Sequence, residues 1–199
     1  MIDRYTLTAR ARYNIAHEQV APVERLVDKQ PATVDMRWGM LAPFRGHGGK
    51  RPPTIYAAPV DAIDATPALR NALRSARCRV LADGFYVWRK LGPGKRQPYW
   101  IHAAQPTAFA GLYDLERDRE PRFTIVVAPA PPALAQVTDV VPVLAPSTWL
   151  GPVDDARAVL ALPIDGLRAD AVSTWVNDEA HDDPRCIALL GNPNQGNLF

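Results

Sequence analysis

Arg4, the Arg10/Arg12 pair, Arg37 and Arg45, with Trp38 and Phe44, are the residues of this 199-residue chain best suited to gripping a ligand. A guanidinium offers a planar fork of donors that matches a phosphate, and an aromatic ring offers a face on which a base can stack. Together they make the usual equipment for sequence-tolerant binding of single-stranded nucleic acid. Trp38 and Phe44 have an alternative use as core residues, because each lies where its side chain can equally turn inward. Other chemistries find less support. Cys78 and Cys186 are far apart and in no CxxC or Cys/His spacing, so both read as small buried hydrophobes in a reducing compartment. His17, His47, His102 and His181 are dispersed, show no HExxH spacing and read as surface residues, so no metal and no cofactor is predicted. Gly46-His47-Gly48-Gly49-Lys50 lacks the P-loop spacing and the Ser/Thr after its Lys, and reads as a flexible basic loop.

The elements that must position these residues are short. Twenty prolines argue against long helices, and there is no internal repeat. Strands are predicted over 34–41, 54–58, 78–82, 85–90, 97–103, 107–113, 123–128, 140–144 and 171–176. Leu91-Gly92-Pro93-Gly94-Lys95 forms a turn, and Thr66-Pro67 opens a short helix as N-cap and N1. The pattern is α+β with a dominant sheet. The length suits one domain, placed at 1–190, followed by a flexible tail at 191–199. No stretch has the length and apolarity of a membrane span or a signal peptide, so a cytoplasmic protein is expected. The net charge of +2 conceals an asymmetry: residues 1–100 hold 17 Lys and Arg against 8 Asp and Glu, and residues 101–199 hold 6 against 13. A basic half suits a polyanion, unless the two halves interleave and their charges mix on one surface.

Beyond single residues, the chain carries an ordered set of landmarks. These are Arg4-Tyr5-Thr6-Leu7, Arg12-Tyr13-Asn14-Ile15-Ala16, Arg37-Trp38-Gly39-Met40, Ala82-Asp83-Gly84-Phe85-Tyr86-Val87-Trp88, Phe109-Ala110-Gly111-Leu112, and Val176-Asn177 followed by Asp182-Asp183-Pro184. In this order and at these intervals they resemble the SOS-response-associated peptidase (SRAP) family over roughly residues 1–190. The resemblance implies a mixed, mostly antiparallel sheet closing into a barrel-like core with short peripheral helices. It also implies a site at which an N-terminal Cys captures the aldehyde of an abasic sugar through its thiol and amine, assisted by a Glu, a His and an Asn. The matching positions here hold Ile2, Val87, Thr138 and Tyr56. None offers a thiol or a group that titrates near neutrality unaided, so the resemblance implies a degenerate catalytic site filled by apolar side chains. A bulky Ile2 also predicts retention of Met1. Two further positions, Arg in the family, hold Ala58 and Val140, which weakens the expected grip on phosphate.

The sequence therefore predicts a catalytically inactive relative that binds single-stranded or abasic DNA weakly, in a repair or mobile-element setting. Two alternatives stand beside it: a protein-interaction module that has given up DNA, and a still-active autopeptidase or DNA crosslinker. The C-terminal Gln195-Gly196-Asn197-Leu198-Phe199 has the Gln-x-x-Leu-Phe form of a sliding-clamp ligand, in which Gln195 would hydrogen-bond at a pocket edge and Leu198 and Phe199 would fill its floor. The competing reading folds Leu198 and Phe199 back onto the domain.

Overall fold

A computed structural model describes residues 2–42, 53–114 and 120–191. Twelve strands are present among them: β1 (Arg4–Leu7), β2 (Arg12–Ala16), β3 (Val20–Val27), β4 (Gln30–Trp38), β5 (Met40–Leu41), β6 (Thr54–Ile55), β7 (Ala57–Pro59), β8 (Arg77–Gly92), β9 (Lys95–Tyr113), β10 (Arg122–Pro129), β11 (Val140–Pro142) and β12 (Leu167–Ala171). Ten of them form one sheet, and β5 and β6 form a separate pair. Strands β9, β10, β4, β3 and β8 follow one another as neighbours, and β8 pairs again with β9, so these five close a ring. Pairing is antiparallel except where β10 meets β4 and β7, which makes the sheet mixed and mostly antiparallel, as expected. Two short helices, α1 (Pro67–Ser75) and α2 (Val153–Leu160), complete an α+β fold.

Residue alternation explains the inner wall. Cys78, Val80 and Ala82 of β8 are buried while Arg77, Arg79 and Leu81 between them are partly exposed, the period of a strand with one covered face. From Phe85 to Val87 every residue is buried, because Phe85 and Val87 face the main core while Tyr86 joins a second cluster with Val172, Val176 and Cys186. Strand β10 is buried along most of its length, as expected of a strand covered on both faces. Both cysteines are buried, and burial pushes their thiols up.

Several element boundaries differ from the sequence expectation. The segments 78–82 and 85–90 are one strand with an irregular register between Ala82 and Gly84, and 97–103 and 107–113 likewise join into β9. Strand 34–41 begins earlier, at Gln30, and breaks at Gly39, whose positive φ ends it. The expected strand at 171–176 is corrected: β12 ends at Ala171, and Thr174–Asn177 is a 3-10 turn opened by Ser173 Oγ, which accepts from the Trp175 amide at 3.2 Å. Helix α2 and strands β1–β3 were not anticipated. Thr66 does occupy the N-cap of α1 with Pro67 next to it, but its side chain makes no capping bond.

Gly84 sits where β1, β8 and β9 meet, at a β8 position pairing with both Thr6 and His102. A Cβ there would lie 2.4 Å from Trp100 Nε1 and 2.7 Å from the Ile101 carbonyl oxygen. Gly84→Ala should therefore destabilise the fold by about 1–3 kcal/mol through overpacking. Urea denaturation reads this directly, and an unchanged midpoint would show that the junction has slack.

Candidate functional site

Pairing of β1 with β8 sets Arg4 opposite Tyr86, so Ile2, two residues before Arg4, and Val87, one after Tyr86, lie at the same end of this strand pair. Ile2 is fully buried and Val87 is 3% exposed, and both belong to the main apolar core. The Ile2 carbonyl lies 3.1 Å from His17 Nε2. His17 in turn stacks on the Tyr56 ring at 4.0 Å and 11°, and meets Trp38 edge-on at 4.4 Å. The Tyr56 hydroxyl donates to Glu18 Oε1 at 2.8 Å, and the Trp38 indole donates to the Tyr56 carbonyl at 2.9 Å. Glu18 also accepts from Arg122 Nη2 at 2.8 Å, while Arg122 Nη1 donates to the Gly39 carbonyl at 2.8 Å. Ile2, His17, Tyr56 and Trp38 thus form one continuous packing unit, tied to the sheet through Glu18 and Arg122.

Thr138 is buried in the turn before β11, where its hydroxyl donates to the Val140 carbonyl at 2.9 Å. Ala58 is fully buried on β7. Among these groups His17 is the titratable imidazole, and burial lowers its pKa, which favours the neutral ring. Burial, followed by donation to Glu18, pushes the Tyr56 phenol up, and the hydrogen bond from Arg122 holds Glu18 below the ordinary carboxylate range. His17 Nε2 is occupied by the Ile2 carbonyl, and the partly buried ring also lines the cleft described below. The dispersed histidines read as surface residues, whereas His17 is partly buried, stacked on Tyr56 and met edge-on by Trp38, and nothing in its sequence spacing signals these contacts.

Beside the unit opens a cleft of about 550 Å3 lined by Asp3, Arg4, His17, Trp88, Gly94, Arg96, Asn177 and Glu179. The Arg4 guanidinium lies 5.2 Å from the centre of the Trp88 ring, donates to the carbonyls of Val176 and Asn177, and stands 3.5 Å from Glu179. Trp88 Nε1 donates to Asn177 Oδ1 at 2.7 Å.

The residues expected to hold DNA are distributed unevenly. Arg12 is held by Asp182 at 2.6 Å and by Gln19, and Arg37 is bidentate to Glu120 at 2.6 and 2.8 Å. Arg10 is exposed and has no ion pair among the described residues. Trp38 is fully buried, so it offers no ring face to a base and its stacking role gives way to core packing. Phe44, Arg45, the Gly46–Lys50 loop and the tail residues Gln195, Leu198 and Phe199 lie outside the described residues. Among the described residues no helix is long and apolar enough to cross a membrane, and no group of three or more His, Cys, Asp or Glu is placed to hold a metal.

The family model described as SOS response associated peptidase (SRAP) matches residues 3–179. The abasic site processing protein YoqW of Bacillus subtilis is 29% identical over 167 residues, covering 76% of this chain and 74% of its own. YobE of the same organism, also named an abasic site processing protein, is 30% identical over 157 residues, 71% of each chain. Among solved structures, a phage-related protein from Bordetella bronchiseptica superposes with a TM-score of 0.65 at 27% identity, covering 80% of both chains. A protein from Bacteroides thetaiotaomicron reaches a TM-score of 0.74 over 94% of this chain and 92% of its own, and at 17% identity it shows the fold alone.

The His17 environment generates a pH prediction. In the unfolded chain His17 titrates at its ordinary value of 6.5, and in the folded protein below it. The unfolded state therefore takes up the proton first, so stability is fully present above pH 6.5 and is lost as pH falls below it. Urea denaturation at pH 7.5 and pH 5 should show a smaller loss for His17→Phe than for the wild type. An identical loss in both would show that His17 titrates freely.

Proposed function

The chain belongs to the SOS response associated peptidase family, and from that premise we propose that it serves the response to DNA damage by binding single-stranded or abasic DNA without bonding to it covalently. The observation that carries this reading is the burial of Ile2 and Val87 within the apolar core, at the positions where the family resemblance puts a nucleophilic Cys and a proton-carrying Glu. Capture of an aldehyde needs an attacking group and a group that moves protons. Ile2 and Val87 provide neither, the Tyr56 hydroxyl is committed to Glu18, and the Thr138 hydroxyl to Val140. Two relatives are named for abasic site processing, which supports the ligand class. The cleft beside Ile2, with Arg4, Arg96 and a partly exposed Trp88, supports a place for a strand to lie.

A second reading, a protein-interaction module on the same fold, draws on a specific observation. Arg4, Arg12 and Arg37 all face acids, namely Glu179, Asp182 and Glu120, so a phosphate would have to compete for them. An abasic single strand separates the readings in two gels. A native gel at low salt should show a shift that fades as salt rises, because phosphate contacts release counterions. The same mixture after heat and SDS should show free DNA only. A band surviving denaturation would overturn the non-covalent reading, and absence of any native shift would favour the interaction module.

A further inference from the structure

Beyond Trp88 and Pro98, strands β8 and β9 continue as a two-stranded ribbon that no other described strand accompanies. β1 leaves β8 at Tyr86, and β12 leaves β9 at Tyr99. Residues 89–96 of this ribbon are all exposed, and Gly92 and Gly94 turn it with positive φ. The ten residues from Trp88 to Gln97 include Arg89, Lys90, Lys95 and Arg96 and no acid. None of the four cations has an ion pair among the described residues, whereas Arg4, Arg12, Arg37, Arg79 and Arg122 each face a carboxylate.

Their arrangement works against the ribbon's own stability. Lys90 is paired directly with Arg96, and like charges opposite one another across a strand pair repel. Blunting an exposed edge needs only scattered charge, not a facing pair of cations. Strand alternation puts Lys90 on the face that carries Trp88, and direct pairing puts Arg96 there too. Trp88, Arg96 and Gly94 line the cleft. Asp3 and Glu179 also line it, and Glu179 is engaged by Arg4, so the cleft is mixed in sign while the ribbon is purely cationic.

We propose that the β8–β9 ribbon is a nucleic-acid-binding arm, with Lys90 and Arg96 holding the sugar-phosphate backbone of a single strand as it leaves the cleft, and Arg89 and Lys95 adding to the field around it. An anion between Lys90 and Arg96 turns their repulsion into a shared attraction. An aromatic ring at the base of a cationic track is the arrangement that suits single strands of any sequence. The base of the arm is fixed rather than floppy: Gln97 donates to the Val172 carbonyl at 2.8 Å, and the Val172 amide donates to the Pro98 carbonyl at 3.1 Å.

This inference rests on the single-strand reading above, and fluorescence anisotropy with a labelled oligo-dT separates the two. The full chain is compared with Lys90→Gln/Arg96→Gln, with the same pair combined with Arg89→Gln/Lys95→Gln, and with Arg70→Gln/Arg74→Gln on α1, which removes two charges elsewhere. The first variant should lose about tenfold in affinity at low salt. Its slope of log affinity against log salt should shrink by about 1.4, corresponding to about 0.7 for each of two phosphates released. The fourfold variant should lose more, and the α1 control should stay close to wild type. Denaturation midpoints of the ribbon variants should equal or exceed wild type, since a repulsive pair has been removed. If the wild type binds and the ribbon variants keep its affinity and slope, the arm is overturned while the single-strand reading stands. If the wild type does not bind oligo-dT, both fall.

Discussion

Strand β8 has three partners, and the arrangement of the molecule follows from satisfying all of them at once. It pairs with β9 along nearly its whole length, with β3 at Arg79 and Val80, and with β1 from Gly84 to Tyr86. The first two contacts close the five-strand ring, and the third brings the chain's first residues against the ring. Every residue from Phe85 to Val87 is buried as a result, and Ile2 is buried at the same end of the strand pair. A polar group placed there would have to give up water, which is costly unless a partner waits for it. The carbonyl of Ile2 has such a partner in His17, and the side chains of Ile2 and Val87 need none.

The second organising feature is the meeting of the basic first half with the acidic second half. Arg4, Arg12 and Arg37 lie opposite Glu179, Asp182 and Glu120. Asp182 also accepts from the backbone amides of Tyr13 and Asn14, and the Asn14 side chain donates to the carbonyls of Asp178 and His181. The landmark residues Arg12-Tyr13-Asn14 and Val176-Asn177 with Asp182 are therefore one fastening between the N-terminal hairpin and the C-terminal turns. Arg4, Arg12 and Arg37 are thus engaged by acids of the second half, while Arg89, Lys90, Lys95 and Arg96 of the β8–β9 ribbon face no acid among the described residues. Trp175, stacked on His181 at 3.4 Å with Arg185 on it at 3.9 Å, stiffens the C-terminal side of the fastening.

What could be read from residues alone depended on whether the cause was local. Helix α1 was legible because Thr66-Pro67 is a local start signal, and the turn between β8 and β9 because Gly92-Pro93-Gly94 permits little else. The mixed sheet was legible through family landmarks rather than periodicity. Helix α2 was missed because its eight residues are short and its one strong cue, Asp154 and Asp155 in the first turn, is shared by loops. Residues 171–176 read as a strand by composition, but the Ser173 side chain accepting from the Trp175 amide and His181 held at the Trp175 carbonyl turn the segment into a 3-10 turn from Thr174. In the site, the apolar character of Ile2 and Val87 was plain. The contact of His17 with the face of Tyr56 and the edge of Trp38 joins residues from three separate stretches of chain and leaves no spacing to find. The acids that occupy Arg4 and Arg12 lie about 170 residues away, so their pairing could not be read from sequence distance.

The account turns on Val87 lying in dry, packed surroundings, and Val87→Glu tests that most directly. A carboxylate forced into the core has its pKa raised by burial, so it opposes folding increasingly as pH climbs above the ordinary Glu value of about 4.3. Urea denaturation of the variant against wild type should show a loss of about 2–4 kcal/mol at neutral pH, shrinking toward pH 4.5. A variant as stable as wild type at both pH values would mean that water reaches position 87, that the site is an open polar pocket, and that the filled-site account is wrong.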